Sequence, residues 1–386
     1  MDIITSAAHR EALKEIIQNQ NGSLARLAAE LRTEAEFALS HPLYSVTFSE
    51  TRAASGDRHD YYSEAPYWWP DPNNPGGKFI RRDGEIFPGY CHRHRDDMTD
   101  MAHDFHLLAA AGYLFDEPKY TDHAAEIVKT WFLDEDTKMN PHLTYAQAIF
   151  GVTKGRGIGI IDTNSLIGVA TGMEYFAEDA RYTDIVSGVK DWFAAYLHWL
   201  DTSKNGTDER DYFNNHANWW NAQASAYAAF VGDKAMLDAC AKRLINRILP
   251  QQTGEDGSFT DELTRTKSLT YSFYNLDACA VTAEILYHQG INVWHTEAAG
   301  GRSIRLSLDY MLPYYVNPYL WKLPQIAGTN IGVHAAFVFG ANRLDKKYAA
   351  GSKIRAEGRR TVERINIGLL CLMEGYISDT EADNIQ

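Results

Sequence analysis

Residues 212–232 read YFNNHANWWNAQASAYAAFVG, and DKAMLDACAKRLINRIL follows at once as residues 233–249. Apolar residues recur at i, i+3, i+4 and i+7 in both halves, the mark of helices with a buried stripe. Asn214 stands just ahead of the first half, where a short polar side chain suits the N-cap and accepts from backbone N–H groups two or three residues on. The VGDKA connection leaves room for no more than a tight turn. The unit is a helical hairpin. Its first helix opens on two asparagines, a histidine and two tryptophans, which packing alone would rarely choose.

The same period runs through DDMTDMAHDFHLLAAAGYLF, TDHAAEIVKTWFL, NSLIGVATGMEYFAED, GVKDWFAAYLHWL, LDACAVTAEILYHQG, SLDYMLPYY, VHAAFVFGAN and ERINIGLLCLMEG, with no strand alternation between them. It dominates once the first ~90 residues are passed. Connections alternate: FDEPKY, AEDARY and VGDKA are brief, whereas residues 134–163 and 249–271 are long and rich in glycine and polar aromatics. Short turns at one end and long loops at the other predict an all-α ring of helical hairpins, an (α/α) toroid whose long loops gather at one mouth. No sequence motif repeats at a fixed spacing, as a solenoid would require. All of 1–386 is expected to form one such domain, with an irregular, aromatic and basic lid-like segment at about 60–95. There DYYSEAPYWWPDPNNPGGKFIRRDG is broken by prolines and a Pro-Gly-Gly turn.

With 45% hydrophobic residues, 12% aromatic residues and 12 prolines, the chain can build a large core and has no disordered signature. A net charge of -14 argues against nucleic acid as a partner. No apolar run approaches the ~20 residues of a membrane span. The N-terminus lacks both the basic start and the apolar stretch of a signal peptide, so the expectation is a secreted or periplasmic protein whose leader has been cut away, or else a cytoplasmic one. Cys91, Cys240, Cys279 and Cys371 are scattered without metal or redox spacing and should behave as small buried hydrophobes. Oligomeric state is not legible. Any anionic ligand must be met locally, and KFIRRDGEIFPGYCHRHR at 78–95, with Lys78, Arg81, Arg82, Arg93 and Arg95, offers one place. Its plainer reading is a solvated charge run balanced by Asp96 and Asp97.

Three stretches carry chemistry. With Asn214 as cap, Asn215 and His216 fall in the first helical turn, where the N-terminus favours a bound carboxylate and keeps an imidazole neutral. His216, Trp219, Trp220, Gln223 and Tyr227 then share one helix face; the plain alternative is a capped helix whose His and Trp residues are satisfied in the core. In DELTRTKSLTYSFYNLD, residues 261–277, Arg265 and Tyr271 lead into a helix expected to begin near Ser272, with Tyr274 just inside it. Arginine offers a planar fork to a carboxylate, and a tyrosine beside such a cation should lose its proton more easily than its free pKa of ~10 suggests. The third stretch, MNPHLTYAQAIFGVTKGRGIGIID at 139–162, holds His142, Tyr145, Gln147, Lys154 and Arg156. Its GRGIG has the wrong spacing and no preceding strand for a nucleotide loop, so its glycines should let the backbone approach a ligand or another helix. Tyr67, Trp68 and Trp69 either pack the lid or stack on pyranose rings.

One reaction needs these groups together. Eliminating a 4-linked uronate removes the proton from C5, alpha to a carboxylate, and gives one to the departing O4. Donors must neutralise the carboxylate, and one side chain must carry the proton. Where C5–H and O4 share a ring face, as in mannuronate and glucuronate, one tyrosine can be base and then acid; in guluronate they lie on opposite faces and two groups are needed.

The stretches DYYSEAPYWWPDPNNPGGKFIRRDG, WFLDEDTKMNPHLTYAQAIFG, GRGIGIID, NNHANWWNAQ and ELTRTKSLTYSFYNL resemble, in the same order, the alginate lyase family of polysaccharide lyases. The resemblance spans residue 60 to about 277. It implies an (α/α) toroid and metal-independent, cofactor-free β-elimination on an anionic polysaccharide, either mannuronate-rich alginate or glucuronan. Carried over by position, it marks Asn215, His216, Arg265 and Tyr271 as catalytic. Around them Trp68, Trp69, Arg81, Arg82, His142, Tyr145, Gln147, Arg156, Trp219 and Tyr274 are the expected substrate contacts. Rival readings are a glycoside hydrolase on a similar toroid using Asp256, Asp261 or Glu262, a non-catalytic polysaccharide binder, and a metal site built from His92, His94, His103 and His106.

Overall fold

The computed structural model describes residues 1–18, 24–329 and 331–351. Helices α1 (Ala7–Gln18) and α2 (Leu24–Ala38) come first, followed by three short strands, β1 (Tyr62–Glu64), β2 (Trp68–Trp69) and β3 (Ile80–Arg81). Then come α3 (Arg93–Phe115), α4 (Pro118–Phe132), β4 (Tyr145–Ala148), α5 (Leu166–Phe176), α6 (Thr183–Thr202) and α7 (Lys204–Arg210). The remainder is α8 (Asn215–Val231), α9 (Lys234–Arg243), α10 (Leu249–Gln252), α11 (Ser268–His288), α12 (Ile304–Val316) and α13 (Ala335–Arg343).

The hairpin read from residues 212–249 is present as α8 and α9, closed by Gly232 in the left-handed region at φ 85°. α3/α4 is closed in the same way, by Asp116 at φ 54°, whereas α5 leads into α6 through residues 177–182 and α11 into α12 through the longer stretch 289–303; the first helices of the pairs begin at the long-loop end and run parallel. α3, α5, α8 and α11 pack side by side as an inner wall, α13 lies beside α11, and α4, α6, α9 and α12 lie outside. Burial explains the division. α5 is buried along its whole length and α8 nearly so, as an enclosed helix must be, whereas α4 and α6 bury one stripe only. This is the helical toroid that the alternating loops predict. At the far end the N–H groups of Ile3, Ile4 and Thr5 all donate to the buried Glu174 carboxylate, which anchors the segment before α1.

Several expectations change. α1 and α2 lie in the first 40 residues, where no helix was expected, and α7 had no sequence signal. α11 begins at Ser268 and not near Ser272, which draws Tyr271 into its first turn. Nor do His216, Trp219, Trp220, Gln223 and Tyr227 share one surface; the inner helix α8 spends them on different neighbours. The ERINIGLLCLMEG stretch and Cys371 lie outside the described residues. Cys240 and Cys279 are buried, Cys91 is half-buried, and none of the three is in a disulfide. No described helix is long and apolar enough to cross a membrane. Of the lid-like segment, residues 93–95 belong to α3; the rest holds the β2–β3 hairpin, Trp68 opposite Arg81 and Trp69 opposite Ile80, and β1, which pairs in parallel with β4.

Candidate active site

The mouth is built around the start of α8. The Asn214 side chain accepts from the His216 N–H at 3.3 Å, the expected cap, and frees Asn215 to turn inward. There the Asn215 backbone N–H and Nδ2 both donate to Glu262 Oε1, at 2.8 and 2.6 Å. Glu262 is fully buried, and burial raises its carboxyl above the ordinary range against the opposing pull of Asn215, Arg265 and His216. His216 places Nδ1 2.7 Å from Glu209 Oε1 of α7, and the Tyr212 ring packs edge-on against the imidazole at 5.4 Å. Sequence reasoning raised Glu262 only as a hydrolase acid. Glu209 it missed, since nothing in the chain marks a carboxylate seven residues before His216 and on a different helix.

Across the mouth the Arg265 guanidinium lies 3.9 Å from the centre of the Tyr271 ring. Its fork is occupied: Nε and Nη2 donate to Asp83 of the lid at 3.1 and 2.9 Å, and Nη1 stands 3.7 Å from Glu262 Oε2. Burial alone would raise the Asp83 carboxyl, but the hydrogen bonds and charge of Arg265, with help from Thr266, hold it down at about 2. The Tyr271 hydroxyl is 2.8 Å from that of Tyr67, also on the lid. Burial and then Tyr67 push the Tyr271 phenol above its usual value, and Arg265 opposes them without prevailing. The expected easing of proton loss is therefore reversed in the free protein, because desolvation of a phenolate outweighs one cation.

A second cluster adjoins the first. Gln147 is buried in the left-handed region at φ 47°, strained for a non-glycine residue. Its N–H donates to Ser63 Oγ at 2.9 Å, its amide nitrogen to Asp162 at 3.0 Å, and its amide oxygen accepts from Arg156 at 2.8 Å. Burial lowers the proton affinity of Arg156. The glycines of GRGIG serve backbone packing: a Cβ on Gly159 would meet Ala146 of β4 at 2.5 Å, and one on Gly157 would meet Asn205 O of α7 at 2.6 Å. His142 Nε2 pairs with Asp60 at 3.1 Å, and its ring faces those of Tyr145 and Trp199.

Other expected contacts divide. Trp68 and Trp69 are half-buried on the lid hairpin, and Arg82 covers the Trp69 ring at 4.7 Å. Arg81 is exposed but paired with Asp83 at 2.7 Å. Trp219 is 1% exposed and sits behind Tyr274, ring centres 4.7 Å apart, so it backs the site and does not line it. Tyr274 itself accepts from Asn164 at 2.6 Å. Trp220 points away, between Arg210 and Arg243, while Gln223 and Tyr227 bond to Thr163. The four histidines of the metal reading go to separate partners: His92 to Asp96, His94 to Ser49, His103 to Asp104 and His106 to the Gly168 carbonyl.

The alginate lyase family model matches residues 46–321. A crystal structure of an alginate lyase from Bacteroides ovatus superposes with a TM-score of 0.86 at 30% identity, covering 95% of this chain and 98% of that one. Alginate lyase A1-III from Sphingomonas species A1 superposes at 0.56 with 16% identity, over 95% and 94% of the two chains. A variant of A1-III complexed with a tetrasaccharide gives 0.60 at 17% identity, again over 95% and 94%. The last two bear on the fold alone. No curated protein matches by sequence.

Proposed function

The chain belongs to the alginate lyase family and is a polysaccharide lyase, and from that premise we propose that it cleaves a 4-linked polyuronate, mannuronate-rich alginate or glucuronan, by β-elimination at Tyr271. The observation that carries the reading is the Arg265 guanidinium stacked on Tyr271 at 3.9 Å, joined through Glu262 to Asn215 at the start of α8. Asn215 has a second amide N–H beyond the one given to Glu262, and His216 has Nε2 beyond the nitrogen given to Glu209. Both are donors for the uronate carboxylate, and the helix N-terminus adds its partial positive charge.

In the proposed step the Tyr271 oxyanion takes the C5 proton and the electron pair left behind forms the C4–C5 double bond. The C4–O4 bond breaks, and O4 leaves with the proton returned by Tyr271. Arg265, its fork engaged by Asp83, works through its face by stabilising the tyrosinate. A phenol that holds its proton tightly is a strong base once ionised, and the stacked cation offsets part of what burial adds to the cost of ionising it.

Digestion of polymannuronate, glucuronan, polyguluronate and neutral glucans, followed by the absorbance of the unsaturated uronate end, tests the proposal. New absorbance on polymannuronate or glucuronan is expected. Chain scission without it would mean hydrolysis.

A further inference from the structure

Glu209 is 1% exposed in α7, and its two carboxylate oxygens are treated differently. Oε1 meets His216 Nδ1 at 2.7 Å, while Oε2 is buried with no hydrogen-bond partner. A carboxylate removed from water must be compensated by charge or by donors. The groups facing the pair are Glu262 and Tyr212 on the His216 side, and Arg156, Asp162, Tyr196 and Tyr274 on the Glu209 side. Arg156 is the one fixed cation among them, and it also serves Gln147 and Asp162. Burial raises the Glu209 carboxyl above its usual value, and the charge and hydrogen bond of His216, ahead of the charge of Arg156, oppose that rise.

The tautomer follows from the same contact. With Glu209 on Nδ1, that nitrogen carries the hydrogen. A neutral ring would then present Nε2 as a bare lone pair, which cannot donate to a carboxylate; the imidazolium presents Nε2–H. The start of α8 disfavours a cation, and a buried carboxylate in contact favours one. GRGIG builds the contact, for a Cβ on Gly157 would stand 3.1 Å from the Glu209 nitrogen and force α7 outward.

We propose that Glu209 is a positioning residue that holds His216 as an Nδ1-protonated imidazolium, so that Nε2–H is the donor offered to the uronate carboxylate. The substrate half of this statement rests on the function proposed above. The hold on His216 does not, and it can be measured in the free protein.

The experiment is an NMR titration of the His216 ring in the wild type, Glu209→Gln and Glu209→Asp. Glutamine keeps an acceptor and removes the charge, so the midpoint should fall by about 1 unit or more, the usual reach of an adjacent opposite charge. Aspartate keeps the charge one methylene shorter and should titrate between the two. An unchanged midpoint in Glu209→Gln overturns the proposal, as do equal shifts in both variants, which would mark a packing effect.

Turnover on polymannuronate against pH gives the second readout. If the active form pairs an imidazolium with a tyrosinate of higher pKa, turnover rises with pH as far as the His216 midpoint and then levels off. Glu209→Gln should leave the acid limb in place, move the break down by the NMR shift and lower the plateau about tenfold per unit. A shifted titration in a protein that never cleaves uronates would overturn the proposed function and leave the Glu209–His216 relation standing.

Discussion

Tyr271 is packed by its ring and, on the proposed reading, employed through its oxygen, so removing the oxygen alone separates the two. Tyr271→Phe should keep the stack under Arg265 and the fold while lowering kcat by ~10²–10⁴-fold, the range of a lost proton-transfer group, with KM little changed. If more than a tenth of kcat survives, Tyr271 is not the base and Tyr67, 2.8 Å away, becomes the next candidate. Asn215→Ala tests the other side of the mouth. It removes the amide that reaches Glu262 at 2.6 Å and, on the proposed reading, one donor to the developing enolate charge. Loss of one such donor costs about 3 kcal/mol in comparable sites, so kcat should fall about a hundredfold; a rise in KM at constant kcat would make Asn215 a binding residue only. Asn215, His216, Arg265 and Tyr271 could be nominated from the sequence because each sits in an unusual local pattern, and the structure brings them to one mouth. Glu209 and Asp83 could not be, and Tyr67 was read only as lid packing or a ring for stacking. Their importance lies in what they touch across the fold, and a carboxylate or phenol in an ordinary polar stretch carries no mark of its distant partner.

At the level of elements, the lid is joined to the start of α11 and the residues just before it by Asp83 with Arg265 and Thr266, by Tyr67 with Tyr271, and by Lys267 over the Tyr67 ring. The composition of the lid was readable, since prolines and glycines exclude a helix, but its docking was not, because the partner loop lies 182 residues away. The Asp83 carboxyl, held at about 2, gives the latch a defined pH range. A depressed folded-state pKa contributes stability that is present above the unfolded value of ~3.9 and is lost as pH falls through the folded value. The latch should thus be intact above about pH 4 and fail on approach to pH 2. Asp83→Asn should release it at neutral pH, at a cost on the order of 2 kcal/mol. Hydrogen exchange in residues 67–90 would then rise while the inner helices keep their protection, and unchanged exchange would show that the β2–β3 hairpin docks without the ion pair. The helices themselves were the most legible elements, as α8 shows, because a capped apolar period is local. Direction within the ring was less so: an inner helix is buried on all sides, and the period of its side chains no longer says which neighbour each one meets.

For the whole molecule, the parallel inner helices bring several N-termini to one mouth, a favourable setting for a carboxylate. The chain nevertheless carries -14, so a polyanion must be repelled at long range and held at short range. Candidate cations at the mouth are unequal. Arg81 is paired with Asp83, Arg156 is tied to Gln147, and Arg82 over Trp69 has Glu85 at 4.0 Å, which leaves the exposed Lys154 as the freest of these four charges. Long-range repulsion is screened over ~10 Å at 0.1 M salt, whereas contacts within a groove are screened less. Moderate salt should therefore preserve or raise activity on long polyuronate chains, and neutral polymers should stay intact at every salt. Inhibition from the first additions of salt would show instead that attraction by exposed basic residues governs binding. On the proposed mechanism the same mouth should set a preference between polymers. A single tyrosine reaches one ring face, which suits mannuronate and glucuronate, while guluronate needs a second group on the opposite face. His216 is the nearest alternative, but with Glu209 holding it as the imidazolium, Nε2 has no lone pair to take the C5 proton. Initial rates on polymannuronate or glucuronan should accordingly exceed those on polyguluronate, and a preference for polyguluronate would require His216 to work as a neutral base, overturning both the Tyr271 mechanism and the charge state assigned to His216.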